Sequence, residues 1–359
     1  MLKDDSAYEI SILLKDGGLL TPYFEKLCKT WIWNVENILE PRKKRWFNYT
    51  KNNCHKNMNQ RQAKILKEIK TADIIINNTI ANGELLALVN KNFAGKIITY
   101  VHELNMGFSM FATASGIAAT IGCSDRFAVP SLAVKEHLKL NYSIVDKDMF
   151  LLPYYIPKST GTAENLSSGI KKIHNENVFI IGGCGTPDWR KGIDIFIAVA
   201  IYIKAQNKLK GFKFLWKGVV LHSPEYNKLM FDINKSGLAA FVELLPSDDF
   251  VAAFYDSLDV FLLTSREDPY PLVVLEAAGF GKPSICFQHA GGAPEFIQDD
   301  AGSSVPYLDV PAMGDLIISY KNNISYLQEK GMNAQKRLNI LHRDDSVVAD
   351  KFKKLIDFQ

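Results

Sequence analysis

Between Ser265 and Pro283 the chain reads SREDPYPLVVLEAAGFGKP. An apolar run, DVFLLTS, leads into it and predicts a strand. Pro271 suits the first turn of a helix that runs through LVVLEAAGF to Gly281. Asp268 therefore stands in a loop at the C-terminal end of a strand, where open α/β sheets bind ligands. Glu276 falls about a turn and a half into the helix, among Val274, Leu275, Ala277 and Ala278. A carboxylate is costly there without a partner. Carboxylates accept hydrogen bonds from hydroxyl groups, so the pair suits a polyhydroxylated ligand, with one acid on a hexose and the other on a ribose. The residues alone also allow a solvated Asp and a structural Glu that caps a neighbouring loop.

The same texture extends outward in both directions. YEISILL, ADIIINN, KIITYVH, RFAVPS and MFLLPY read as strands in the first half, and VFIIGG, KFLWKGVV, FVELL, DVFLLTS and PSICFQ in the second. Helical patterns separate them. Near-continuous apolar strands alternating with helices predict parallel sheets buried on both faces. The 359 residues, 47% of them hydrophobic, suffice for two ordinary α/β domains. PKSTGTAENLSSGIKKIHNEN, beginning at Pro157, is polar and turn-rich and predicts a linker. The expected division is 1–157, 158–343 and a C-terminal helix over 344–359.

The second half opens with VFIIGG and continues GGCGTPDWRKGIDIFIAVA. Gly182, Gly183 and Gly185 follow the strand, and Arg190 and Lys191 are expected at the start of the next helix. Helix-start amides, a close backbone and two cations suit a diphosphate. An ordinary strand-to-helix turn with solvated cations has the same pattern. GGCG is not a full GxGxxG, and no acid follows about 20 residues on after a second strand, which disfavours a dinucleotide-dependent oxidoreductase.

RKGIDIF, SREDPYPLVVLEAAGFGKP and HAGGAPEFI, in that order and spacing, resemble family-4 (group 1) glycosyltransferases. The resemblance covers nearly the whole second half. It continues more weakly through INNTIANGEL, ITYVHEL and FAVPSLAVKEHL. It implies the GT-B fold, two Rossmann-like domains facing across a cleft. The implied activity is retaining transfer of a sugar from a nucleotide diphosphate to a hydroxyl acceptor, in cell-surface polysaccharide or glycolipid synthesis.

The resemblance also implies roles by position. Glu276 would bind the nucleoside ribose and Asp268 a donor-sugar hydroxyl. Lys191 and Arg190 would neutralise the diphosphate as it leaves. Gly185 would belong to the loop beside it, and His102 would face the reacting sugar. No metal or other cofactor is implied, since the two cations and the helix dipoles supply the positive charge.

Several positions depart from the family pattern. Asp268 replaces a glutamate and is one methylene shorter. Pro269 and Pro271 stand where glycines are common; lacking N–H groups, they leave donation to Tyr270 and Leu272. Thr186 replaces an arginine, a loss for which Arg190 would compensate. The N-terminal domain is expected to lack its first strand-helix unit. That truncation motivates an alternative, a catalytically silent nucleotide-sugar-binding subunit that needs a partner.

Charge is unevenly spread. The net charge is +3, yet residues 42–70 hold ten Lys and Arg against one acid, Glu68, interleaved with Trp46, Phe47 and Tyr49 and preceded by Trp31 and Trp33. Such a stretch suits an anionic membrane surface. A solvated loop is the plain alternative, and no nucleic-acid reader motif accompanies it. The five cysteines are scattered with no CxxC spacing, which argues against a zinc site or a disulfide framework and suits a reducing compartment. The opening residues hold only the short apolar run ISILL between charges, so neither a signal peptide nor a membrane span is expected. These features predict a cytoplasmic protein, peripheral at the inner face of a membrane.

Overall fold

The computed structural model describes residues 8–34, 59–91, 93–157, 178–248 and 251–357. The linker expected after Pro157 lies outside them, as do residues 42–58 of the basic stretch with Trp46, Phe47 and Tyr49. The chain divides into two compact units. The first comprises Met1–Thr99, Ala112–Arg126 and Ile356–Gln359, the second Tyr100–Phe111 and Phe127–Leu355.

In the first unit, β1 (Ser11–Asp16) pairs in parallel with β2 (Lys29–Asn34) through α1 (Thr21–Leu27). Strand β2 is absent from the sequence reading, which takes Trp31 and Trp33 as flanking aromatics of the basic stretch. The two indoles instead alternate with Thr30 and Ile32 along a strand, the period of two that a short KTWIWN segment hides beside so many charges. Four of the basic residues, Arg61, Lys64, Lys67 and Lys70, fall on or just after α2 (Gln60–Ile69). A capping box between Asn59 and Gln62 starts that helix. Lys29 of β2 pairs with Glu68 of α2. β3 (Ile74–Asn77) pairs in parallel with β4 (Lys96–Tyr100), and α3 (Gly83–Asn90) packs on α5 (Ala114–Cys123).

The second unit is built on a six-stranded parallel sheet. Its strands are β7 (Phe179–Cys184), β8 (Phe212–Val219), β9 (Val242–Pro246), β10 (Val260–Leu263), β11 (Ser284–Phe287) and β12 (Gly302–Val305), in the order β12-β11-β10-β7-β8-β9. Alternate residues feed two cores. Ile181, Phe214, Trp216, Val260, Leu262, Ile285 and Phe287 face one; Ile180, Leu215, Phe261, Leu263 and Cys286 face the other. Helices α7 (Ile193–Ala205), α8 (Pro224–Lys235) and α12 (Val310–Asn322) cover the first core. Helices α9 (Val251–Ser257), α10 (Leu272–Gly279), α11 (Ala293–Ile297) and α13 (Ile324–His342) cover the second. Burial of both faces explains the unbroken apolar runs. β12 escapes the sequence reading because GSSV carries a single large apolar residue; among the described residues it lies at the sheet edge and pairs with β11.

The same unit contains α4 (Asn105–Phe111), the parallel pair of β5 (Arg126–Val129) and β6 (Met149–Leu151), and α6 (Leu132–Tyr142), capped by Ser131. Two helix limits differ from expectation. α7 begins at Ile193, so Arg190 and Lys191 sit in the turn before it, and α10 ends at Gly279. α14 (Asp345–Ile356) forms the expected C-terminal helix. Among the described residues no single helix is long and apolar enough to cross a membrane.

Candidate active site

Strand order places the β7–α7 and β10–α10 loops side by side, since β7 and β10 are hydrogen-bonded neighbours. Glycines allow the loops to close on their surroundings. Gly192, at φ 71°, approaches so near that a Cβ would lie 2.1 Å from the Thr264 carbonyl oxygen. Gly291, at φ 131°, does the same to Asp268, with a virtual Cβ 1.7 Å from its carbonyl oxygen. Hydrogen bonds then lace the loops together. Arg266 N–H donates to Arg190 C=O at 2.8 Å, and Arg190 Nη1 donates to Glu267 C=O at 2.9 Å. Thr264 Oγ1 donates to Lys191 C=O at 3.2 Å. Asp188 accepts from Lys191 N–H at 2.8 Å and shapes the turn.

This lacing brings three expected residues together. Lys191 Nζ lies 2.6 Å from Asp268 Oδ2, and Arg190 Nη1 lies 3.9 Å from the same oxygen. Asp268 is only 6% exposed. It is fixed on both sides of its backbone, donating to Ala290 C=O at 2.7 Å and accepting from Gly292 N–H at 3.1 Å. Gly185 lies beside Lys191: a Cβ built on it would meet the lysine Cγ at 3.2 Å. Its carbonyl accepts from the Trp216 indole at 3.0 Å.

Glu276 has the partner that its apolar setting requires. The Tyr255 hydroxyl, from α9, donates to Oε2 at 2.7 Å. Cys184, at the end of β7, lies against that tyrosine, and burial together with the Glu276 charge pushes its thiol up to about 11. Leu272 is the first residue of α10 and is exposed, so its N–H lies in the first turn, which has no intrahelical acceptor. Tyr270 turns its hydroxyl to His342 Nε2 at 3.0 Å.

His102 follows β4 and belongs to the second unit. Its Nδ1 lies 2.8 Å from the Tyr154 hydroxyl, and its ring packs 4.0 Å from that of Tyr100, centroid to centroid. Burial pulls the imidazole down to about 4, so the ring is neutral at pH 7.

Two carboxylates that the sequence reading passes over hold helix starts. Glu267 accepts from Met106 N–H of α4 at 2.9 Å, and Glu295 accepts from Leu132 and Ala133 N–H of α6 at 2.8 Å each. Burial raises both pKa values, while the backbone donors oppose the rise. Glu295 lies within HAGGAPEFI, so its motif is visible in the sequence although its partners are not. Tyr154, Tyr255 and His342 carry no sequence signal at all. Among the described residues no group of three or more His, Cys, Asp or Glu is arranged to hold a metal ion.

Known proteins resemble this chain in part of its sequence and in its fold. Residues 175–323 match the family described as Glycosyl transferases group 1. An uncharacterised glycosyltransferase of Haemophilus influenzae is 23% identical over 299 residues, covering 81% of this chain and 75% of the relative. The amylovoran biosynthesis glycosyltransferase AmsD of Erwinia amylovora is 29% identical over 129 residues, or 35% of this chain and 36% of its own. HepE of Anabaena, solved in complex with UDP and glucose, superposes with a TM-score of 0.77 at 15% identity, covering 97% of this chain and 92% of that one. Residues 175–323 thus form a group 1 glycosyltransferase domain, in a chain that has the GT-B fold.

Proposed function

We propose that the chain transfers a sugar, with retention of anomeric configuration, from a nucleotide diphosphate to a hydroxyl on a glycan or lipid-linked acceptor in cell-surface polysaccharide or glycolipid synthesis. The observation that carries this reading is the Lys191–Asp268 pair, with Arg190 beside it, at the C-terminal end of β10. The three groups together carry one net positive charge. Lys191 and Arg190 neutralise the diphosphate as it departs, the largest electrostatic contribution to the transition state. In this reading the cations, not a metal, perform that task. Lys191 donates to Asp268 Oδ2, and in this reading Oδ1 takes the sugar hydroxyl. Tyr255 donates to Glu276 Oε2, and in this reading Oε1 takes the ribose. The Tyr270 and Leu272 amides and Gly185 line the phosphate path, and His102 faces the sugar.

The relatives support a nucleotide-sugar donor by what their names record: HepE holds UDP and glucose, and AmsD serves amylovoran biosynthesis. The basic stretch over 42–70 supports docking on an anionic leaflet from the cytoplasmic side. A thermal-shift series with UDP, GDP, UDP-glucose and UDP-N-acetylglucosamine tests the donor assignment. At least one diphosphate should raise the melting temperature, and the corresponding sugar nucleotide should change the shift. No response to any member would overturn the reading.

A further inference from the structure

Glu267 and Asp268 are adjacent acids whose carboxylates have different partners. Asp268 Oδ2 takes the Lys191 ammonium at 2.6 Å. Glu267 Oε1 takes Met106 N–H of α4 at 2.9 Å, and the same carboxylate accepts from Gly107 N–H. The first contact serves the proposed diphosphate chemistry. The second lies outside it and spans 161 residues of sequence.

The backbone around Glu267 is fixed on both sides. Arg190 Nη1 donates to the Glu267 carbonyl at 2.9 Å, and Arg266 N–H donates to Arg190 C=O at 2.8 Å. Asp268 N–H donates to Ala290 C=O at 2.7 Å, and Gly292 N–H donates to Asp268 C=O at 3.1 Å. The Glu267 side chain therefore leaves a loop that the donor-site residues themselves hold.

Across the contact is the segment that carries His102. It joins β4 to α4 over residues 101–104. Its first end is tied to β5, since Val101 N–H donates to Ala128 C=O at 2.9 Å. Within it, His102 N–H donates to Glu103 Oε2 at 2.8 Å. Its second end enters α4, whose first intrahelical bond runs from Phe108 N–H to Leu104 C=O at 2.9 Å. Met106 and Gly107 precede that bond, so their amides have no acceptor within the helix. Glu267 supplies one. Bonds from amides to a carboxylate are charge-assisted and roughly twice as strong as neutral ones.

We propose that Glu267 is a positioning residue whose carboxylate, on the Met106 and Gly107 amides, keeps the His102 segment in register with Asp268. One side chain then couples the loop that binds the donor to the segment that carries the histidine. The catalytic meaning rests on the proposed roles of Asp268 and His102, whereas the tether does not.

Amide hydrogen exchange of the full chain without ligand tests the tether, and turnover tests its use. Glu267→Ala should speed exchange at Met106 and Gly107 about tenfold or more. Glu267→Gln, whose amide oxygen still accepts, should restore most of the protection. Glu295 holds Leu132 and Ala133 of α6 instead, and Glu295→Ala is the control. It should speed exchange at those two amides and leave Met106 and Gly107 protected. Met106 and Gly107 still protected in Glu267→Ala, or released equally by Glu295→Ala, would overturn the proposal.

Turnover is read with the UDP- or GDP-sugar that the wild type uses. Glu267→Ala should lower kcat about tenfold or more and leave affinity for free UDP or GDP within about twofold. Glu267→Gln should recover most of the rate. An unchanged kcat beside faster exchange would overturn the positioning role, and so would an equal fall in kcat and in diphosphate affinity. A wild type that turns over no donor would overturn the proposed function and, with it, the catalytic use of the tether.

Discussion

The Lys191 ammonium lies 2.6 Å from Asp268, and Arg190 reaches the same carboxylate oxygen from 3.9 Å. The lysine is thereby held in place, in a form that a diphosphate must share with Asp268. Removing Lys191 has two separable effects. Transfer should fall roughly 30- to 1,000-fold, about 2–4 kcal/mol of barrier. Stability should also fall, since Asp268 is buried and loses its nearest cation. Lys191→Ala/Asp268→Asn should recover much of the stability and none of the rate. Urea unfolding and initial rates on the two variants check both outcomes.

Glu276 and Tyr255 form the second pair, at 2.7 Å. Glu276→Gln should weaken binding of free nucleoside diphosphate about tenfold. Tyr255→Phe should weaken it less, because the carboxylate survives and loses only one orienting bond. Asp268→Asn should spare the free diphosphate and weaken the intact donor. Calorimetric titration of the three variants distinguishes ribose from sugar recognition. Equal losses for diphosphate and intact donor in Asp268→Asn would break that division.

Gly291→Ala tests whether loop geometry sets the position of Asp268. The new methyl would sit 1.7 Å from the Asp268 carbonyl oxygen, at a φ of 131° that alanine avoids. The loop must move, so activity should fall at least tenfold with the chain still folded. Gly122→Ala, where a Cβ meets nothing within 4 Å, is the matched control and should leave activity unchanged.

His102 should impose a pH dependence on stability. Burial lowers its pKa from 6.5 to about 4, so the folded chain binds its proton less readily than the unfolded chain. The contribution is complete above about pH 6.5 and is lost as pH falls toward 4. At pH 5 the loss is up to about 2 kcal/mol. Burial shifts His137 and His342 in the same direction. His102→Gln should therefore flatten, without abolishing, the decline in urea midpoint between pH 7.5 and 5. An unaltered slope would show that His102 titrates normally.

Legibility in the sequence followed range. The sheet, the two loops and the acids at 268 and 276 were readable because each depends on local pattern: apolar runs, a proline at a helix start, glycines after strands. The Lys191–Asp268 contact was not read, because the motifs give each residue a ligand of its own and the pairing depends on β7 and β10 being neighbours in the sheet. Nor were the partners that hold the site. Glu295 reaches Leu132, Glu267 reaches Met106 and His342 reaches Tyr154 across long sequence separations, and nothing in the local pattern of either partner announces the other. β2 and β12 were missed for compositional reasons, one crowded by charges and the other nearly devoid of apolar side chains.

The basic stretch makes a prediction of its own. Replacing Arg42, Lys43, Lys44 and Arg45 with Ser should reduce co-sedimentation with anionic vesicles at low salt. Salt should weaken wild-type binding, since the attraction is screened over about 8 Å at physiological ionic strength. Equal binding to neutral and anionic vesicles would remove the membrane role and point to a soluble acceptor.

The most direct test of the account is release of nucleoside diphosphate from a panel of sugar nucleotides by the purified chain, followed beside Lys191→Ala. The account predicts that one donor is turned over, that adding a hydroxyl acceptor accelerates release, and that Lys191→Ala lowers the rate at least 30-fold. Binding without turnover of any donor would favour the silent-subunit alternative, and undiminished turnover by Lys191→Ala would contradict the assignment of the diphosphate to Lys191.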